Sequence, residues 1–276
     1  MNYILDFRLS SVGGAVVPGR VISVAGPDAQ FGTEDDLRLE TKVTFLVHGY
    51  NVNRTNGKAA LLRLANALQT AQHEQAIVFV LWPGDHGVLG PASYPWEGKD
   101  ADDTASELIQ FIEMTLPPAV QLSFVSHSLG ARVVLKTLAG LNTHYAVQYV
   151  CLMAPAVDDF SLADPIYYRA AVSRASRVAV LASHKDTVLR DLYPIADLFQ
   201  SFLFAKESSG RALGYHGPKN ADHHAIPQQV YHVQISDAHR VNHGDYIPDE
   251  LPTTSQLAAA NFADAILQGV LTPSYL

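Results

Sequence analysis

A chain of 276 residues with 48% hydrophobic and 17% charged content has the make-up of a soluble globular enzyme and is long enough to bury a substantial core. Nineteen Lys and Arg stand against 27 Asp and Glu, a formal net charge of -8, with no basic run to track a phosphate backbone, so nucleic acid is excluded as an expected partner. No apolar run reaches the roughly 20 residues that span a bilayer, the start has no secretory pattern, and the single cysteine, Cys151, has no internal disulfide partner; the expectation is a cytoplasmic protein.

Residues 1–40 open with two roughly alternating segments, Tyr3 to Arg8 and Arg20 to Ala25, separated by Gly13, Gly14, Pro18 and Gly19. They predict an antiparallel hairpin at the edge of a sheet. The run from Gly26 to Asp36 carries Asp28, Asp35 and Asp36, hard oxygens that suit Ca²⁺, but it lacks EF-hand spacing and reads as a solvated hairpin loop. Thr41 to Val47 is continuously apolar, as a central strand covered on both faces must be, and ends in His48-Gly49-Tyr50-Asn51. Leucines at helical spacing predict a helix over 58–72, followed by a buried strand over 76–82.

Residues 84–98 combine Gly and Pro with Tyr94 and Trp96 and predict an irregular loop. A helix follows over 101–116, its end marked by Pro117-Pro118, and then comes Leu122 to Leu135, around which the rest is organised. An apolar, β-prone run reaches Ser126-His127-Ser128-Leu129-Gly130, and helical periodicity begins at once. Strand, tight turn and helix in that order push the Ser128 hydroxyl out of the strand end and leave room only for small residues at 126 and 130. Further strands are predicted over 147–153, 177–182 and 230–235, with helices over 165–175, 186–204 (kinked at Pro194) and 255–268. Residues 206–229, rich in Gly and His, read as an excursion or cap. Alternating strands and helices with no linker between two cores predict one α/β domain spanning 1–276, a mostly parallel sheet flanked by helices.

Ser126-His127-Ser128-Leu129-Gly130 resembles the nucleophile elbow of α/β-hydrolases, with Ser126 where the first glycine usually stands. The His-Gly-Tyr-Asn strand ending, the elbow, residues 151–160 and 183–188, and His243-Gly244-Asp245-Tyr246 are together similar to the branch known as the domain-of-unknown-function 900 type. The resemblance implies a Ser-acid-His triad at the C-terminal ends of strands, with no cofactor and no metal. Ser128 is the implied nucleophile, and Asp186 takes the common acid position, with Asp158 and Asp159 one strand earlier as alternatives. His243 is preferred over His239 as base. The backbone N–H groups of Leu129 and Tyr50 are the implied oxyanion donors, while the His48 side chain is expected to pin its loop by hydrogen bonds.

The chemistry follows from need: a serine hydroxyl is a poor nucleophile until a base accepts its proton and a third group orients that base. The expected activity is carboxylic ester hydrolysis through an acyl-enzyme. Tyr94, Trp96 and Tyr215 suggest an apolar wall for a short or medium acyl chain. Amidase, thioesterase or acyltransferase chemistry, or a silent fold that only binds, are the alternatives. A metal hydrolase using Asp237, His239 and His243 would lack the glutamate of His-Glu-x-x-His. The partner is a small-molecule ester; oligomeric state is not written in the sequence.

Overall fold

The structure, a computed structural model, describes residues 1–22, 31–68, 75–85, 94–191 and 211–270, with the side chains of 94–97 outside that description. Among the described residues eight strands form one sheet: β1 (Asn2–Arg8), β2 (Val16–Val21), β3 (Lys42–Val47), β4 (Ala76–Leu81), β5 (Gln121–His127), β6 (Ala146–Met153), β7 (Ala175–Ala182) and β8 (Val230–Gln234). Their order is β2-β1-β4-β3-β5-β6-β7-β8. Every neighbouring pair is parallel except β1 with β2.

Period-two geometry sends successive side chains to opposite faces. Tyr3, Leu5 and Phe7 of β1, Val43 and Phe45 of β3, and Val78 and Val80 of β4 join one core. Ile4, Leu46, Ile77, Phe79 and Leu81 join the other. The first is covered by α3 (Tyr94–Thr115) and α4 (Gly130–Gly140), and the second by α2 (Arg54–Ala67) and α8 (Thr254–Leu267). Burial on both faces is why the central strands read as continuous apolar runs.

β2 and β1 form the expected antiparallel pair at the edge of the sheet, with β2 outermost. β1 pairs on its other side in parallel with β4. Its polar residues are accommodated by charge pairing: Asp6 and Arg8 are fully buried, Arg8 pairs with Asp85, and Asp6 lies 2.5 Å from Arg54. Glu34–Leu37 is a helical turn, α1, not a loop: Thr33 caps it and Asp36 completes the capping box, while Asp35 pairs with Arg38 at 3.1 Å. Asp28 lies outside the described residues.

α2 begins at Arg54 because Asn53 caps it, and its predicted end beyond 68 lies outside the description. α3 begins at Tyr94, so the end of the predicted 84–98 loop is helical; 86–93 lie outside the described residues. The 165–175 segment is helical only over α5 (Arg169–Val172). Of 186–204, the description covers α6 (Thr187–Asp191) and stops before Pro194. Within the predicted 206–229 excursion, 211–217 carries α7 (Leu213–His216) and lies over the ends of β6 and β7, through Leu213 N–H to Val157 O at 2.8 Å and Ser183 N–H to Gly214 O at 3.0 Å. Among the described residues no helix is long and apolar enough to cross a membrane.

Candidate active site

Ser128 stands between β5 and α4 with φ of 54°, a left-handed conformation that a side-chain-bearing residue adopts only when its surroundings enforce it. Here the backbone enforces it from three sides: Ser128 N–H donates to Met153 O at 3.0 Å, and its carbonyl accepts from Ala131 N–H at 3.1 Å and Ala156 N–H at 3.2 Å. Ser126 is buried, and Gly130 is glycine through close approach, since a Cβ there would stand 2.5 Å from His48 O. Arg132 ties α4 to α3 through a two-pronged pair with Asp102, at 2.7 and 2.8 Å.

The Ser128 hydroxyl lies 2.9 Å from His243 Nε2, and His243 Nδ1 lies 2.7 Å from Asp186 Oδ2. Asp186 follows β7 and is fully buried, its Oδ1 accepting from Leu189 N–H at 2.9 Å. His243 opens a 3-10 turn over His243–Tyr246 in the loop beyond β8, capped by Asn242. Serine, imidazole and carboxylate thus converge from three strand ends into one hydrogen-bonded relay.

The other candidates are engaged elsewhere. His239 packs edge-on against Phe262, ring centroids 5.9 Å apart, and Asp237 pairs with Lys185 at 2.9 Å. Asp159 pairs with Lys219, and Asp158 bridges to Ala212. Among the described residues no group of three or more His, Cys, Asp or Glu could hold a metal ion. Tyr94 and Trp96 fall in the first turn of α3, with side chains outside the description. The Tyr215 ring meets His184 at a tilt and His216 edge-on, with ring centroids 5.5 and 4.7 Å away.

The loop after β3 closes on the elbow. A Cβ at Gly49 would stand 2.9 Å from Ser128 Cβ, so the Gly49–Tyr50 peptide runs beside the serine. Leu129 is the N-cap of α4, and backbone N–H groups at a helix start have no intrahelical partner. Behind the loop, His48 Nδ1 donates to Gly49 O at 2.9 Å, its Nε2 accepts from Trp82 N–H at 3.2 Å, and its ring stacks on Trp82. Burial, with the Arg8 charge adding, pushes the His48 pKa down to about 4, so the ring that pins this loop stays neutral.

Three contributors were not singled out from the sequence. His127 Nε2 donates to His243 O at 2.8 Å, and Asn242 Oδ1 accepts from Thr187 N–H at 3.0 Å and His243 N–H at 2.8 Å, joining the Asp186 loop to the His243 loop. Arg8 reaches Val52 O at 3.0 Å and Trp82 O at 2.8 Å. Only Asn242, a cap-forming residue directly before a candidate base, left a sequence signal.

A serine at a left-handed strand-to-helix turn, on a parallel sheet of this order, defines the α/β-hydrolase class. The family model described as "Alpha/beta hydrolase of unknown function (DUF900)" matches residues 29–192, more than half of the chain, and the chain belongs to that family. No curated protein matches. Similar solved structures include the ydeN gene product of B. subtilis, at 21% identity over 53% of this chain and 74% of that one, with a TM-score of 0.36. A Pyrobaculum calidifontis esterase shares 14% identity over 84% of this chain and 78% of its own, with a TM-score of 0.43. The catalytic core domain of acetyl xylan esterase from Trichoderma reesei shares 12% over 84% and 97%, with a TM-score of 0.42.

Proposed function

We propose that this protein is a serine hydrolase of carboxylic esters. The observation that carries the reading is the relay itself: Ser128 Oγ to His243 Nε2 at 2.9 Å and His243 Nδ1 to Asp186 at 2.7 Å. His243 accepts the Ser128 proton as Oγ bonds to the ester carbonyl carbon, and Asp186 accepts the Nδ1–H and stabilises the imidazolium. The carbonyl oxygen, now an anion, takes hydrogen bonds from the backbone N–H groups of Leu129 and Tyr50, each such donor being worth roughly 3 kcal/mol of barrier. Collapse breaks the ester C–O bond, and His243 returns the proton to the departing alcohol. Water, deprotonated by His243, then attacks the acyl-enzyme and releases the acid and free Ser128.

In this reading Tyr94, Trp96 and Tyr215 supply an apolar wall for a short or medium acyl chain, and the lone buried thiol of Cys151 suits a cytoplasmic setting. Hydrolysis of a p-nitrophenyl ester series, wild type beside Ser128→Ala, tests both halves. Activity that disappears in Ser128→Ala and peaks at short or medium chains supports the reading. A wild type that cleaves no ester, or a Ser128→Ala protein that still does, overturns it. His243→Ala is expected to abolish the activity and His239→Ala to leave most of it.

A further inference from the structure

All four polar groups of His243 are engaged. Asp186 and Ser128 take the ring nitrogens, Asn242 Oδ1 accepts its backbone N–H, and its carbonyl accepts from His127 Nε2 at 2.8 Å. The last bond joins residues 116 positions apart, and its donor is the neighbour of the serine itself. We infer that His127 is a positioning residue for the base: by holding the His243 carbonyl, it makes the strand that carries the nucleophile also set the distance to the imidazole. The inference rests on the reading of Ser128, His243 and Asp186 as a catalytic relay.

Geometry and burial together leave His127 one chemical state. A carbonyl only accepts, so Nε2 carries the proton, and Nδ1 faces the oxyanion-side loop, 3.0 Å from where a Cβ at Gly49 would stand. The residue is partly exposed, yet desolvation, then the nearby His243, holds its pKa down at about 3. It therefore does not take up the proton that His243 must accept, although the two ring centroids are only 4.8 Å apart. The ring of Tyr246 lies 6.0 Å away. His127 is thus wedged between the loop after β3 and the loop after β8, and cannot swing without moving one of them.

Asn242 fixes only the N–H end of His243. Without the carbonyl bond the residue gains freedom about its backbone, and a displacement of about 1 Å at a reacting atom costs about 10²-fold in rate. The test compares His127→Phe, which keeps a packed ring without a donor, with His127→Gln, whose amide nitrogen reaches near the position of Nε2. His127→Phe is expected to lower kcat on p-nitrophenyl acetate by about 10- to 100-fold with KM changed less than about threefold, and to slow fluorophosphonate labelling of Ser128 by the same factor. His127→Gln is expected to restore most of the loss.

A folded His127→Phe with wild-type kcat, or equal losses in both variants, overturns the inference. A readout independent of folding variants is the ¹⁵N spectrum of histidine-labelled wild type, in which His127 is expected as the neutral Nε2–H tautomer from about pH 5 to about pH 9. The Nδ1–H form, which leaves Nε2 with no proton to donate, overturns it. Ser128→Ala run alongside separates the two claims: activity surviving in that variant defeats the proposed function, whereas activity lost there but intact in His127→Phe defeats only the role of His127.

Discussion

Replacing Gly130 with alanine sets two effects against each other, and the structure decides which wins. The backbone of Gly130 is ordinary helix, so Ala is favoured there by about 1 kcal/mol of intrinsic propensity. The added Cβ, however, would stand 2.5 Å from His48 O and 2.9 Å from Val47 O, the first about 0.9 Å short of the 3.4 Å at which ordinary contact begins. Both atoms are backbone at the end of β3, which is paired on both sides by β4 and β5 and has no free direction in which to yield. Overpacking of this kind costs roughly 3 kcal/mol, so the net loss is about 2 kcal/mol, or a melting point lower by about 4 °C in a chain of this size.

The strand end that must move carries Gly49 and Tyr50, so activity is expected to fall further than stability, by about 10²-fold for a shift of about 1 Å. Gly244→Ala is the control: it adjoins His243, yet a Cβ there meets nothing within 4 Å. Thermal denaturation and p-nitrophenyl acetate hydrolysis measured on both variants check the argument. A Gly130→Ala protein that melts within about 1 °C of wild type with unchanged kcat would refute it.

Acid is expected to destabilise the fold through His48. Its pKa lies at about 4 when folded and near 6.5 when unfolded, so between those values the unfolded state binds the extra proton and stability falls as pH is lowered through the window, by on the order of 3 kcal/mol in total. Urea denaturation at several pH values compares wild type with His48→Gln; identical pH slopes for the two would show the reasoning to be wrong. Arg8→Met leaves Asp85 buried without its charge partner and is expected to cost about 3 to 5 kcal/mol, with Arg8→Met/Asp85→Asn recovering part of it in the same denaturation assay. Equal stabilities of single and double variants would deny the pair that role.

What the sequence by itself determined is local or periodic. Two-sided burial left its mark as the unbroken apolar run of β4 and the largely apolar run of β3, and the elbow at Ser128 followed from small residues at 126 and 130 between a β-prone run and a helical one. Ser128, Asp186 and His243, named from motif order, lie within hydrogen-bond reach of one another in the fold. The 165–175 helix failed because helical periodicity is only a weak prior when tertiary contacts set the path, and the loop reading of the acidic stretch passed over the Thr33-x-x-Asp36 spacing of a capping box.

Only the tertiary structure decided the rest. That β1 is interior depends on pairing with a strand more than sixty residues away, and its buried Asp6 and Arg8 look like surface residues until Arg54 and Asp85 arrive. That the His243 ring meets Asp186 while the His239 ring meets Phe262 is a matter of long-range contact that sequence spacing does not carry. His127 bonds to a backbone carbonyl, a group that every residue possesses and no sequence pattern encodes. Patterning determined where the candidate residues fall along the chain; long-range closure of the loops beyond β3, β5, β7 and β8 decided how they are brought together.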